Sequence, residues 1–472
     1  MTRTTVALAM LVAGVWAAAS ATFPVGDSDL YWHLATARET LAHGLMRSDI
    51  FSWSAAGAPV TTDQWLGENL LYAGYSAAGW LGVLAVRTLA VGIIVFCIAA
   101  AALARRPTAA VASIAISVPA ILLSRFLWTE RPELMGAAFF ALLVLLLQLP
   151  GDAPLIALAP LLVVWANVHG SFALGSALAI LVAVYGLVAD RPRRRGYLVA
   201  AAGAILSFVL TPAGVGTAVT PSIHLMDPPR QIQEWSLPDP ATPAGALWVI
   251  VLGLVVATAS VSVRARAVDA ILIVPTALLS LLAVRHTPLL AIAATPYLAE
   301  HLPLAARAVA DIAFGPIAAA RRRDRRSAPG WMSAAVGIGG LVIAAAAVVA
   351  APREPDESGF PVGALASLPA GPGLFAQYDW GGWLIWRAPA TPVFIDGRLV
   401  PYRGDVLRDY QQVLEARPGW RDVVARRGVK WLLVRPSDPV GVRATELGWR
   451  VLAHDRSFVL IAVPNSLSEG PP

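Results

Sequence analysis

Cysteine and lysine are almost missing from this chain. Cys97 stands alone inside an apolar run, so no intramolecular disulfide can form and a cysteine-ligated metal site is excluded. Lys430 is the only lysine, and every other basic residue is arginine. Charge of either sign is scarce: 14% of the 472 residues are charged, against 57% that are hydrophobic. A soluble protein does not tolerate that balance. Also missing are a P-loop, a dinucleotide-binding glycine fingerprint, a nucleophile elbow and a zinc-ligand spacing, which removes the enzyme classes that depend on them. The net charge of +6 does not indicate nucleic-acid binding, because the basic residues sit in short clusters between apolar runs.

What the chain has in abundance is apolar runs of 15–22 residues. They predict a polytopic α-helical membrane protein, since in lipid each segment must pair its own backbone groups. The expected spans are 5–24, 81–104, 108–124, 133–149, 153–169, 172–189, 197–211, 246–263, 267–284, 287–303 and 331–351, about eleven in all. Arginine clusters set the orientation. With Arg3 inside, Arg105 and Arg106, the run 191–195, Arg264 with Arg266, and the cluster 321–326 all fall on the cytoplasmic side. The first span resembles a signal peptide in composition but is expected to remain, and its removal would leave loop 25–80 outside in either case.

This topology gathers the remaining polar residues on the outer side. They are Asp27, Asp29 and His33; Arg125, Glu130, Arg131 and Glu133; Asn167 and His169; Glu234 and Trp235; Arg285 and His286. Charged residues at membrane depth are costly and mark function. Two domains are expected: a transmembrane domain 1–351 with an outer loop 25–80, and an extracytoplasmic domain 352–472. In the tail, 374–379, 392–396, 429–434, 449–455 and 457–463 are strand-like, while 404–415, 418–427 and 438–447 are helix-like. That alternation predicts a small α/β domain with a mainly parallel sheet.

Loop 25–80 carries the densest chemistry. In GDSDLYWHLATARETLAHG, Asp27 or Ser28 can cap a helix and Gly44 can end it. Leu30, Leu34, Ala37 and Leu41 form an apolar stripe, and Asp29 and His33 share another face. Two acids and a histidine suit general-base work or a divalent cation, with helix capping as the plain alternative. A second surface helix or a short span is expected at 63–80. Arg125 and Arg131 can grip an anion through a fork of donors, or pair with Glu130. Arg285 and His286 stand between two apolar runs, where an unpaired cation is expensive and a lipid phosphate is a natural partner. Asp396 and Arg398, in a D-G-R step after a strand, stand at a sheet edge that can take a ligand or form a tight turn.

These residues fall into an ordered set: D-S-D-L-Y-W-H-L from Asp27, D-I-F-S from Asp49, Arg131-Pro132, W-A-N-V-H-G from Trp165, Glu234-Trp235, R-H-T-P from Arg285, Trp380 to Gly382, and Asp396 to Arg398. The set resembles the GT-C superfamily of integral-membrane glycosyltransferases, and within it a bacterial multi-pass group of the same layout. Tyr31 departs from that group's pattern, where a second tryptophan is common. The resemblance implies a polyprenyl-phosphate-sugar donor at the outer face of the cytoplasmic (inner) membrane, and inverting transfer to an envelope acceptor hydroxyl or amide. Asp29, Asp27 and His33 would supply the catalytic acid–base group. Arg125, Arg131, Asn167, His169, Glu234, Arg285, His286, Asp396 and Arg398 would bind substrate. If a metal takes part, Asp27, Asp29, His169 and Glu234 are the candidate ligands, and their hard oxygens suit Mg2+ or Mn2+. A transporter or flippase of an anionic or lipid-linked substrate, and a non-catalytic envelope scaffold, are the competing readings. No internal repeat is visible, which counts against a transporter.

Overall fold

The computed structural model describes residues 2–61, 63–218, 233–261, 265–314, 330–402 and 404–465. The arginine cluster 321–326, Arg264 and residues 219–232 of loop 212–245 lie outside the described residues. The chain forms two compact units. One comprises Met1–Phe23 with Leu81–Pro352, and the other Pro24–Trp80 with Arg353–Pro472. The first loop therefore clusters with the tail rather than with the helices on either side of it in sequence.

The first unit is helical. Among the described residues, helices stand at all eleven places where apolar runs predicted them. Seven are long and apolar enough to cross a membrane: Arg3–Ala21, Trp80–Arg105, Pro107–Leu127, Phe172–Ala189, Pro243–Val261, Val284–Asp311 and Gly330–Ala350. Pro132–Gln148, Asp152–Val168 and Ala267–Ser280 are apolar but shorter. The large core cluster draws on most of these helices. The first and last helices meet through small residues, as lipid-embedded helices must when no hydrophobic effect drives them together. A methyl on Gly14 would collide with the carbonyl of Gly340, and one on Gly340 would stand 2.8 Å from Leu11 Cα. Thr4 and Ser333 add a hydroxyl pair at 3.2 Å.

Arg105, expected only as a topology signal, does more. Its side chain is buried and donates to Gln148 at 2.8 Å, to both carboxylate oxygens of Asp269 at 2.8 and 3.0 Å, and to Glu300 at 2.6 Å. One guanidinium thus ties together four helices.

In the second unit the helix Leu30–His43 ends at Gly44, whose φ of 87° suits only glycine readily. Leu30, Leu34 and Ala37 of the expected stripe are buried, while Leu41 is exposed. Trp65–Ala78 forms the second expected helix. The tail helices Asp405–Leu414, Trp420–Arg427 and Pro439–Glu446 match the sequence reading. The sheet does not. Its strands β1 (Leu374–Ala376), β2 (Trp431–Val434), β3 (Arg450–His454) and β4 (Val459–Ala462) lie in the order β1-β2-β4-β3. Only β1 and β2 are parallel; β2/β4 and β3/β4 are antiparallel. The link 455–458 is too short for a parallel crossover, so β3 and β4 close as a hairpin around Asp455, which accepts from the amides of Ser457 and Phe458. Residues 392–396 are not a sheet strand. Val393 instead exchanges backbone bonds with Phe51 and Trp53 of the first loop, at 3.1 and 3.0 Å. The expected strand 374–379 stops at Ala376, and Tyr378–Arg387 forms a helix carrying Trp380 to Gly382.

Candidate functional site

Four of the eight sequence motifs meet inside the second unit. Asp27 accepts from the backbone N–H of Asp29 at 2.8 Å, a short turn that sets up the helix behind it. Asp29 holds the position just before Leu30, and its side chain makes no capping bond. The D-G-R step reaches Asp29 through its glycine: a methyl on Gly397 would stand inside the van der Waals shell of Asp29 Oδ1 and 2.7 Å from Asp29 Cγ. Only a bare backbone fits there. The flanking Asp396 and Arg398 are buried and satisfied by near neighbours. Arg398 donates to Asp396 at 2.8 and 2.5 Å, to the Tyr402 hydroxyl at 2.8 Å and to Asp49 at 2.6 Å. Asp49 also accepts from the amides of Phe51 and Ser52, both at 3.2 Å. The D-I-F-S and D-G-R motifs are therefore two halves of one knot. Of the two expected readings, a ligand edge or a tight turn, Asp396 and Arg398 form the paired turn and hold the loop that carries Gly397. The carboxylates beside Arg398 hold its guanidinium well above the usual arginine range.

His33, one turn after Asp29, is buried and lies tilted against Trp32, 3.5 Å between ring centroids. Its Nδ1 lies 3.1 Å from Glu68 Oε1. Sequence reasoning missed Glu68, which looks like an ordinary polar position in an amphipathic helix. Burial, reinforced by the charge of Asp63 and opposed by Arg398, pushes the Glu68 carboxyl up to about 8. Burial likewise raises Asp63 to about 6 against hydrogen bonds from its own backbone and from Thr61. A histidine and two acids with raised affinity for protons thus share one buried region.

The other four motifs meet inside the first unit. The turn Val284–His286 brings Arg285 between two carboxylates: it donates to Glu133, in the first turn of Pro132–Gln148, and to Glu234 at 3.1 Å. Arg131 reaches the other oxygen of Glu234 at 3.6 Å. The Arg285 guanidinium lies over Trp235, 4.5 Å from its ring centroid, and His286 meets the same ring edge-on at 5.9 Å. A backbone bond from Val284 to Ser236 at 2.9 Å joins the two turns. Arg285, for which a lipid phosphate was the expected partner, has two carboxylate partners within the protein. Glu133 lies within electrostatic reach of Arg285, His169 and Arg131. His169 is fixed by Ser171 at 2.8 Å, a hydroxyl that also accepts from Trp165 at 3.0 Å. Asn167 spends its amide on the carbonyls of Val163 and Leu210, both at 2.9 Å, and so pins a helix end.

Arg125 stands in another constellation. It is exposed, lies 5.7 Å from the Phe23 ring centroid, and lines a cavity of about 160 Å3 with Ser20, Phe23, Arg87 and Trp128. Glu130 pairs with the buried Arg87, and Arg87 also holds the carbonyls of Ser20 and Phe23. Among the described residues no three His, Cys, Asp or Glu side chains form a group that could hold a metal ion. Asp27 and Asp29 belong to one unit, His169 and Glu234 to the other, and Glu234 is engaged by Arg131 and Arg285. Among the described residues, the four candidates do not make a metal centre within either unit.

No family model matches the chain, and no curated protein matches it. Solved structures do. The archaeal oligosaccharyltransferase AglB from Archaeoglobus fulgidus, in complex with an inhibitory peptide and a dolichol-phosphate, aligns with a TM-score of 0.59 at 12% identity, over 90% of this chain and 69% of that one. The apo form of the Archaeoglobus fulgidus oligosaccharyltransferase gives 0.53 with the same identity and coverage. ArnT from Cupriavidus metallidurans in the apo state aligns over 99% of this chain and 98% of its own, at 16% identity and a TM-score of 0.49. The likeness to the oligosaccharyltransferase is one of fold, a polytopic helical membrane fold, and it agrees with the seven helices of this chain that are long and apolar enough to cross a membrane.

Proposed function

We propose that this protein is a glycosyltransferase that moves a sugar from a polyprenyl-phosphate-linked donor to an acceptor of the cell envelope, at the outer face of the cytoplasmic membrane. One observation carries the reading: in a chain of GT-C-like fold, the Arg285 guanidinium lies over the Trp235 ring, with Arg131 near and Glu133 and Glu234 as its partners. The leaving group of such a donor is a lipid phosphate, and a guanidinium fork matches its oxygens in shape and charge. Trp235 and His286 supply an apolar flank for the first carbons of the lipid. The oligosaccharyltransferase with this fold holds a dolichol-phosphate. Asp29 is the general base: it takes the acceptor's proton as the acceptor attacks the anomeric carbon on the face opposite the phosphate, which inverts the configuration. The arginine clusters support an inside N-terminus, with loop 25–80 and residues 352–472 outside.

The test uses the purified full chain in detergent, supplied with undecaprenyl-phosphate-linked sugars and an envelope extract. Release of undecaprenyl phosphate is expected from the wild type. Asp29→Asn is expected to bind undecaprenyl phosphate as before and to release none from the donor. A wild type that neither binds the carrier nor consumes the donor overturns the reading; an active Asp29→Asn removes Asp29 as the base.

A further inference from the structure

Asp29 and Trp32 meet the same glycine. The methyl that would collide with Asp29 at Gly397 would also stand 3.0 Å from Trp32 Nε1. The carboxylate and the indole N–H therefore face one small region beside a bare backbone. Trp32 is 8% exposed, and its buried Nε1 has no hydrogen-bond partner. An indole N–H can only donate, and leaving it buried and unpaired is unfavourable. The other glycine motif closes on Trp32 and on the D-G-R step. A methyl on Gly382 would meet the Ser28 carbonyl at 2.6 Å and Trp32 Cδ1 at 3.0 Å; one on Gly381 would meet Asp396 Cα at 2.7 Å. The helix Tyr378–Arg387 is thus wedged between the start of the Asp29 helix and the D-G-R loop, which Arg398 anchors to Asp49. Tail residues fix the place of both Asp29 and Trp32.

We infer that the Trp32 indole N–H and the Asp29 carboxylate form a subsite for an acceptor hydroxyl, kept open by Gly397. The inference rests on the transferase reading and narrows its acceptor. A hydroxyl oxygen has two lone pairs: one accepts from Trp32 while the other attacks, and its proton points at Asp29. An amide nitrogen offers no lone pair to the indole. In the transfer, the hydroxyl proton passes to Asp29 as the oxygen bonds the anomeric carbon. The bond from that carbon to the phosphate oxygen breaks, and its electron pair leaves with the polyprenyl phosphate. Trp32 is a positioning residue in this step.

The test pairs kinetics with labelling. Trp32→Phe keeps the ring and loses the N–H. It is expected to keep wild-type thermal stability and affinity for undecaprenyl phosphate while KM for a hydroxyl acceptor rises about tenfold, the scale of one hydrogen bond. An unchanged KM overturns the subsite. Independently of turnover, carbodiimide and glycine ethyl ester modify Asp29 in the full chain, read by peptide mass spectrometry. Methyl hexosides, as hydroxyl probes, are expected to protect Asp29 in the wild type and not in Trp32→Phe. Gly397→Ala is expected to speed the labelling several-fold, because its methyl displaces the carboxylate; an unchanged rate overturns the cradle. Protection without any sugar transfer rejects the transferase reading and keeps the subsite. Transfer with none of these effects rejects the subsite alone.

Discussion

Arg398 reaches across 349 residues of sequence to place Nη1 2.6 Å from Asp49 Oδ1. Both side chains are buried, and the other donors of Arg398 go to Asp396 and Tyr402. Removing one partner of such a pair strands the other charge, at a cost of about 3–5 kcal/mol. Asp49→Ala and Arg398→Met are each expected to lower the melting temperature of the detergent-solubilised protein. Arg398→Lys is expected to restore little, since one ammonium cannot serve both carboxylates and the Tyr402 hydroxyl. Unchanged melting in all three variants would mean the knot adds nothing to stability.

Arg131 and Arg285 face Glu133 and Glu234, so the charges of the four balance. A lipid phosphate must displace a carboxylate to bind there. Glu234→Gln is expected to tighten undecaprenyl phosphate binding several-fold, and Arg285→Ala to weaken it about tenfold or more, as expected for a charge-assisted fork. Binding measured on the purified protein decides. Weaker binding by Glu234→Gln shows that the carboxylate orients Arg285 rather than competing with the ligand.

Glu68 holds its proton up to about pH 8 in the folded chain, against an ordinary value of 4.5. Between those values the folded state binds more protons than the unfolded one, so stability falls as pH rises. Glu68 therefore contributes most below pH 4.5, and its contribution is lost as pH climbs through about 8. The swing is on the order of a few kcal/mol. Thermal unfolding from pH 5 to 9 is expected to show this slope, and Glu68→Gln to flatten it while keeping a hydrogen bond to His33. A slope that survives the substitution assigns it to other groups, Asp63 first.

The first and last helices of the membrane unit can be tested by cross-linking. Cys97 is buried, so the background is clean. Thr4→Cys with Ser333→Cys is expected to form a disulfide under mild oxidant, since the two hydroxyls lie 3.2 Å apart. Adding Gly340→Leu is expected to abolish it, because overpacking at that contact costs about 1–3 kcal/mol and forces the helices apart. Cross-linking that persists places the glycine contact elsewhere.

The helices were legible because apolar runs of this length leave a chain few choices, and Gly44 marks its helix end without help from tertiary structure. Arg131, Glu234 and Arg285 were legible as a set because charges at the edge of apolar runs are rare. Their pairing was not, since Glu133 and Glu234 lie 101 residues apart in the numbering and only packing joins them. Glu68 was hidden for a related reason: it sits in a polar stretch where an acid is unremarkable until burial removes its water. Asp49 stood out in its motif, but its pairing with Arg398 did not. Residues 392–396 have the pattern of a strand, but pattern does not name a partner, and theirs is the loop at 51–53. Periodicity likewise says nothing of strand direction; the short 455–458 link settles it for β3 and β4.

The Asp49–Arg398 pair also sets a timetable. A ribosome adding roughly 5–20 residues per second needs on the order of 20–70 s to travel from one codon to the other. Through that interval Asp49 has been synthesised without its guanidinium, and loop 48–54 without the Val393 strand that completes it. The earliest polar loop of the protein is thus among the last parts to mature. Any premature stop that removes the tail leaves it unfinished, with every helix of the membrane unit already made.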